Sequence, residues 1–236
     1  MSIVQPPSAS SVLAIAAHPD DIESWCAGTL ALAHERGATV RLLLVTSGEH
    51  GTSDTSMNAQ QVAAQREQEA RAAAELLGIS EVAFLRYPDG DVENTHELRE
   101  QLVEYIRRWQ PTVLFTHDPE HPYPAYITHR DHRIVGRAAL DAVYPLARDR
   151  LAFPEHSQAG LSPYIVREVW LFSSLNPDSH VDISRSFERK IAARLAHASQ
   201  TSDPDALQQG WRERAAAIGQ PVGLPLAEAF VILKLE

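Results

Sequence analysis

Residues 11–21 read SVLAIAAHPDD, and this stretch decides the fold that we expect for the chain. Its first part, 11–16, is an apolar run long enough for one buried strand and too short for a typical helix. Residues 24–36 then carry apolar side chains at roughly helical spacing and are followed by a glycine, a common residue after a helix end. A histidine and two aspartates therefore lie where a strand passes into a helix. In an open α/β sheet, ligands bind at this end of the strand.

The alternation of strands and helices continues along the chain. Further strands are predicted over 40–46, 81–85, 112–116, 166–172 and 229–235, and further helices over 60–77, 95–109, 131–146, 186–198 and 204–218. This order predicts an α/β fold, a mostly parallel sheet with helices on both faces. No repeat or linker divides the sequence, so we expect a single domain over 1–236, with residues 1–10 as a flexible lead-in.

The composition limits the classes of protein and of binding site. No apolar run approaches the ~18 residues of a membrane span, and the first ten residues lack the pattern of a signal peptide. The net charge of -10 opposes nucleic-acid binding, which needs a concentrated basic face. Cys26 is the only cysteine, so metal ligands would have to be nitrogen and oxygen. We expect a cytoplasmic protein without nucleic-acid or membrane partners, and the sequence leaves homo-oligomer formation open.

Two clusters of polar residues follow predicted strands. In the first cluster, His18 and Asp21 are three residues apart at a helix start, so both side chains can converge on one metal ion. The second cluster reads HRDH over 129–132 and follows the strand at 112–116. If the two strands are neighbours, both clusters meet at one edge of the sheet. The simplest assignment makes His18, Asp21 and His132 the ligands of a catalytic metal with one open position.

The other members of the two clusters supply groups for acid–base chemistry. Asp20 lies between two ligands and points in a different direction, so it is the candidate general base for water. His129 is the candidate acid or oxyanion partner, and Asp131 is expected to hold this histidine charged and oriented. A bound metal would lower the pKa of water to about 7 and polarise a carbonyl group. This combination favours hydrolysis of an amide bond.

Each of these residues taken alone has a simpler explanation. A lone histidine at a strand end is more often structural, and an aspartate pair can cap a helix. Two clusters that each follow a predicted strand are harder to explain in this way. The further histidines His50, His117 and His121 are expected to support the ligands or to face the substrate, and His117 is the leading alternative for the third ligand. The loop over 117–128 is expected to shape the pocket.

Shorter motifs accompany the two clusters. They are AGT at 27–29, TSGE at 46–49, REQE at 66–69 with LG at 77–78, PDG at 88–90, Lys190 with HASQ at 197–200, and AEAF at 227–230. Together with AHPDD at 17–21 and HRDH at 129–132, they resemble the LmbE/PIG-L family of zinc-dependent N-deacetylases. The resemblance covers almost the whole chain.

This resemblance implies a Rossmann-like fold and removal of an acetyl group from an N-acetylglucosaminyl group. The resemblance implies that His18, Asp21 and His132 bind zinc. It also implies that Asp20 is the general base and that His129 is the acid or oxyanion partner, in agreement with the assignment from chemistry. The same ligands would also accept another divalent ion such as Fe²⁺. The implied partner is a small-molecule amino-sugar conjugate.

The resemblance also assigns sugar binding to Arg66 and Asp89. Without it, these residues would be interpreted as part of a solvated helix face and an ordinary turn. The chain departs from the family pattern at Arg130, where proline is common, and at Ile127, where some members have a tyrosine. Tyr126 lies one residue further back, so its role in oxyanion binding is left open.

Two alternative functions stay open on the sequence. The same metal site suits a zinc amidase that acts on a thiol conjugate of the mycothiol type. The chain could also be a non-catalytic α/β ligand-binding domain, but such a domain does not need Asp20 beside a ligand pair. The glycine-rich dinucleotide fingerprint is missing after the first strand.

Overall fold

One mixed sheet organises the computed structural model, which describes residues 1–120 and 128–235. Within these residues the strands are β1 Ser2–Ile3, β2 Ser11–Ala16, β3 Thr39–Thr46, β4 Glu81–Tyr87, β5 Val113–His117, β6 Glu168–Phe172, β7 Ser179–Asp182 and β8 Ala227–Lys234. Their order across the sheet is β1-β7-β8-β6-β5-β2-β3-β4. Strand β8 runs antiparallel to β6 and β7, and the other pairs are parallel. The predicted mostly parallel α/β sheet is confirmed.

Helices cover both faces of this sheet. They are α1 Asp21–Trp25, α2 Ala27–Glu35, α3 Ala59–Leu77, α4 His96–Trp109, α5 Arg130–Asp141, α6 Pro154–Gln158, α7 Phe187–Ala196 and α8 Pro204–Gly219. Alternate residues of β2 enter two separate cores: Val12 packs with α2, α3 and α7, whereas Leu13 packs with α4 and α5. No helix among the described residues is long and apolar enough to span a membrane. The expected cytoplasmic location and the domain bounds of 1–236 stay predictions.

The structure differs from the sequence-based prediction at several element ends. The helix predicted over 24–36 is two helices, because the backbone turns at Cys26, where φ is -141°. The second of these, α2, begins where the Glu228 carboxylate accepts the N–H groups of Gly28 at 3.0 Å and of Thr29 at 2.7 Å. A long-range contact thus starts this helix. Residues 1–10 were expected to be a flexible lead-in, but Ser2–Ile3 adds an edge strand to β7.

The sheet order brings the two polar clusters together. Strand β2 lies between β3 and β5 and is parallel to both. The carboxyl ends of parallel strands lie at the same edge, so the loop after β2 and the segment that leads from β5 into α5 face each other. A site shared by the two clusters required these two strands to be neighbours, and they are.

Close packing between α5 and β5 gives the first testable prediction. A Cβ added to Gly136 of α5 would lie 2.4 Å from the carbonyl oxygen of His117, which is fixed in the sheet. We expect Gly136→Ala to lower the free energy of unfolding by about 1–3 kcal/mol in urea titrations, because the helix must move away. In the control Gly210→Ala, the new Cβ meets no atom within 4 Å, so the helix should gain up to about 1 kcal/mol. Equal effects of the two substitutions would contradict this packing.

Candidate metal centre and active site

An open pocket of about 370 Å³ lies at the carboxyl edge of the sheet. It is lined by His18, Asp20, Asp21, His50, Gly51, Arg66, Asp89, Gly90, His129 and His132. The predicted ligands, the candidate base and acid, Arg66 and Asp89 are all in this lining, whereas Asp131 is fully buried beside it. The two clusters therefore meet, although more than a hundred residues separate them in the chain.

The three predicted metal ligands direct donor atoms at one another. Nδ1 of His18 lies 3.2 Å from Nε2 of His132 and 3.5 Å from Oδ2 of Asp21. The other carboxylate oxygen of Asp21 lies 3.0 Å from Nε2 of His132. Ligand atoms at ordinary bond lengths around a tetrahedral zinc are about 3.3 Å apart. Two imidazole nitrogens and a carboxylate at this spacing fit a divalent metal ion, and their role as ligands stays a prediction.

Carboxylates also surround the other side of the His18 ring. Its Nε2 lies 3.0 Å from Oδ1 of Asp89 and 3.2 Å from Oδ2 of Asp131. Burial opposes a charge on this ring, but Asp131, Asp21 and Asp89 outweigh burial and raise the pKa of His18 to about 12. The carboxylates around His18 therefore strongly favour a bound cation. In the metal-free protein, this cation is the extra proton on the His18 ring.

The partner of Asp131 differs from the expected one. The sequence predicted that Asp131 would hold His129 charged. However, Oδ2 of Asp131 lies 4.0 Å from Nδ1 of His129 and is closer to His18. The backbone N–H of Gly90 also donates to this oxygen at 2.7 Å. A carboxylate behind a ligand histidine fixes the ring and its tautomer. We therefore interpret Asp131 as a residue that orients His18.

His129 is placed as a neutral hydrogen-bond donor. Its Nδ1 accepts the backbone N–H of Asp131 at 3.2 Å at the start of α5, so a neutral ring carries its hydrogen on Nε2. Burial and the positive charge of His18 lower the pKa of His129. The charged imidazolium expected from the sequence is thus disfavoured in the metal-free protein.

Asp20 combines an unusual backbone conformation with a nearby arginine. It adopts a left-handed conformation with φ of 90°, and its Oδ1 lies 3.3 Å from Nη2 of Arg66. Burial and the nearby charge of Asp21 raise the pKa of Asp20 to about 6, although Arg66 acts in the opposite direction. A pKa near neutrality suits a group that must take up and release a proton.

The raised pKa of Asp20 predicts a pH-dependent stability of the metal-free protein. Because the folded-state pKa of about 6 exceeds the ordinary 3.8, ionisation destabilises the fold. This penalty is absent below about pH 4 and complete above about pH 6. At pH 8, chelator-treated Asp20→Asn protein should have a higher free energy of unfolding than the parent, by at most about 3 kcal/mol. The two proteins should converge near pH 4 in denaturant titrations, and a constant difference would contradict the shift.

Arg66 and Asp89 both lie in the pocket wall. Arg66 is 4% exposed, and its Nη1 and Nη2 donate to the carbonyl oxygens of Gly48 at 2.8 Å and Pro19 at 2.6 Å. Asp89 accepts the backbone N–H of His50 at 3.1 Å. A solvated helix face and an ordinary turn are therefore wrong descriptions of these two residues. Sugar binding by them stays a prediction.

His117 lies behind the metal ligands. It is fully buried, its Nε2 is 3.2 Å from Oδ2 of Asp21, and its ring stacks on His132 at 4.2 Å. The same Nε2 accepts the backbone N–H of Ala17 at 3.2 Å, so its lone pair is already used. An Nε2 that accepts this N–H has no lone pair left for a metal and no hydrogen to donate to Asp21, so His117 is disfavoured as a ligand. The other residues singled out nearby, His121, Tyr126 and Ile127, lie outside the described residues, as does most of the loop expected to shape the pocket.

Two contacts of the site were not anticipated. Nη2 of Arg194, from α7, lies 3.8 Å from Oδ2 of Asp20. Glu49 accepts the backbone N–H of Asp89 at 2.8 Å. The TSGE motif already marked Glu49, whereas no local pattern connects Arg194 to a residue so far away in the chain.

Comparisons with known proteins agree with this geometry. A family model described as PIG-L: GlcNAc-PI de-N-acetylase matches residues 13–143. Diacetylchitobiose deacetylase of Thermococcus kodakarensis is 32% identical over 193 residues, covering 80% of this chain and 69% of that protein. The solved N,N'-diacetylchitobiose deacetylase from Pyrococcus horikoshii has a TM-score of 0.89 and 30% identity, covering 95% of this chain and 84% of that chain. The 4-oxalmesaconate hydratase of Pseudomonas putida is 28% identical over 197 residues, covering 80% of this chain and 74% of that protein.

Proposed function

This chain belongs to the PIG-L family of GlcNAc-PI de-N-acetylases, and we propose that it hydrolyses the N-acetyl group of an N-acetylglucosaminyl unit in a small amino-sugar conjugate. One observation carries the proposal. The donor atoms of His18, Asp21 and His132 converge in an open pocket beside Asp20, a carboxylate with a pKa of about 6. A ligand-binding domain without catalysis would not need that carboxylate.

The proposed metal is zinc, held by Nδ1 of His18, Nε2 of His132 and the carboxylate of Asp21. Zinc bound there would lower the pKa of water and polarise the acetyl carbonyl. Fe²⁺ is the alternative ion, because the same donor set accepts several divalent metals. Asp131 supports the site by accepting a hydrogen bond from Nε2–H of His18.

The chain's own residues then divide the proton transfers. Asp20 takes the proton from the attacking water, and this is the proton available for the leaving amine. Nε2–H of His129 donates a hydrogen bond to the oxyanion that develops on the acetyl carbonyl. Arg66 and Asp89, in the pocket wall, are proposed to bind the hydroxyl groups of the sugar ring.

The name of the hydratase relative gives a second reaction to test. Hydration of a carbon–carbon double bond can also use a base-activated water and a metal cation, so the metal site alone does not separate the two reactions. A thiol conjugate of the mycothiol type is a further candidate substrate for amide hydrolysis. Residues 13–143 match the deacetylase family model, and two deacetylases are the more similar relatives, so we favour N-acetylglucosaminyl conjugates.

Acetate release tests the proposed function. The zinc-loaded protein should release one acetate per amino group formed from N-acetylglucosamine conjugates such as N,N'-diacetylchitobiose. Thiol conjugates and unsaturated dicarboxylates are the comparison substrates. If an amine formed only from a thiol conjugate, the substrate would be a thiol conjugate and not an N-acetylglucosaminyl conjugate. Water addition without acetate release would overturn the proposal.

A further inference from the structure

A second cavity, of about 210 Å³, lies between α1, α8 and the strands β7 and β8. It shares no lining residue with the pocket at the metal ligands. Most of its wall is apolar and includes the rings of Trp25 and Trp211 together with Pro177 and Ile218. The proposed reaction uses none of these residues.

The main polar group in this cavity is the guanidinium of Arg214. Its central carbon lies 4.7 Å from the ring centroid of Trp25 and 5.2 Å from that of Trp211, so two indoles hold it in place. Among the described residues, the carbonyl oxygen of Ser24 is its one hydrogen-bond acceptor. A guanidinium has five N–H donors in a planar fork that matches a carboxylate. Donors therefore remain for a ligand.

The charges around Arg214 favour an anion. Lys190 also lines the cavity, but its Nζ lies 2.6 Å from Oε1 of Glu228, so these two charges offset each other. The net charge of the lining is therefore positive. Burial lowers the pKa of Arg214, and the Glu228 carboxylate acts in the opposite direction. A partly desolvated cation gains from a directly bound anion.

The size of the cavity limits the ligand. An apolar protein cavity of about 150 Å³ holds one benzene molecule, so 210 Å³ admits one ring with a short side arm. We propose that this cavity binds a small aromatic monocarboxylate of the size of phenylacetate, with its ring on the apolar wall and its carboxylate on Arg214. This binding is independent of the proposed deacetylase reaction.

Calorimetric titration of the zinc-loaded protein with phenylacetate tests the proposal. Excess acetate is present throughout, to occupy any carboxylate site at the metal. Because a charge-assisted hydrogen bond is lost, 2-phenylethanol should bind about tenfold more weakly than phenylacetate. Arg214→Met should weaken phenylacetate binding by a similar factor. The control Arg212→Met, in the same helix but ion-paired at the surface with Glu188, should bind normally.

Two outcomes would overturn the proposal. They are absence of saturable binding under these conditions, and equal affinity for phenylacetate and 2-phenylethanol. The comparison with the neutral alcohol uses the unaltered protein, so it decides the question even if the Arg214 variant does not fold. Equal binding by the Arg214→Met and Arg212→Met proteins would place the ligand elsewhere.

Discussion

Asp20→Asn is expected to retain metal and to lose turnover of an N-acetylglucosaminyl substrate by about 10²–10⁴-fold, the usual contribution of a general base. The amide has nearly the same shape as the carboxylate and can still accept a hydrogen bond from Nη2 of Arg66, which lies 3.3 Å from Oδ1. It cannot take a proton from water. The fall should therefore appear in kcat, with little change in KM.

Two measurements make this test specific to the base. Metal analysis should find about one zinc per chain in both the parent protein and the Asp20→Asn variant, because Asp20 lies beside the ligands and is not one of them. The activity of the parent should also decrease at low pH as Asp20 becomes protonated, and the residual activity of the variant should lack this decrease. Normal turnover by the variant would show that Asp20 is not the base.

His132→Ala is expected to remove both metal and activity. The donor nitrogens of His18 and His132 lie 3.2 Å apart, and each lies 3.0–3.5 Å from one of the two carboxylate oxygens of Asp21, so removal of one imidazole leaves Asp21 and His18 as an incomplete site. We expect zinc to fall from about one per chain to a small fraction. The value of kcat/KM should fall by about 10³-fold or more, since a catalytic metal contributes several kcal/mol to the transition state. Plasma emission spectrometry after dialysis measures the metal.

His129→Ala is the matched control, because this histidine lies three residues earlier and contacts the same pocket. It should retain the metal and lose activity through the missing oxyanion donor, by about 10²–10³-fold. If His132→Ala kept a full complement of zinc, the ligand assignment would be wrong. In that case His117 would be the next residue to test, since its Nε2 lies 3.2 Å from Asp21.

The sequence alone predicted the features that depend on residues close to one another in the chain. Apolar runs and helical spacing predicted the alternation of strands and helices. The helix predicted over 95–109 is capped at its start, where Oγ1 of Thr95 accepts the N–H of Leu98 at 3.2 Å. The position of each cluster after its strand was also correct, because a strand and the residues that follow it are contiguous. The family resemblance named the residues that line the pocket.

Contacts between distant segments required the tertiary structure. Asp131 turned out to contact His18 and not chiefly its near neighbour His129, and this depends on β5 lying directly beside β2. The break between α1 and α2 likewise coincides with Glu228, which arrives on the antiparallel strand β8. Local periodicity records how each segment buries its own apolar face. It carries no information about which charge from another segment will approach a given imidazole, and that approach decides the chemistry of the site.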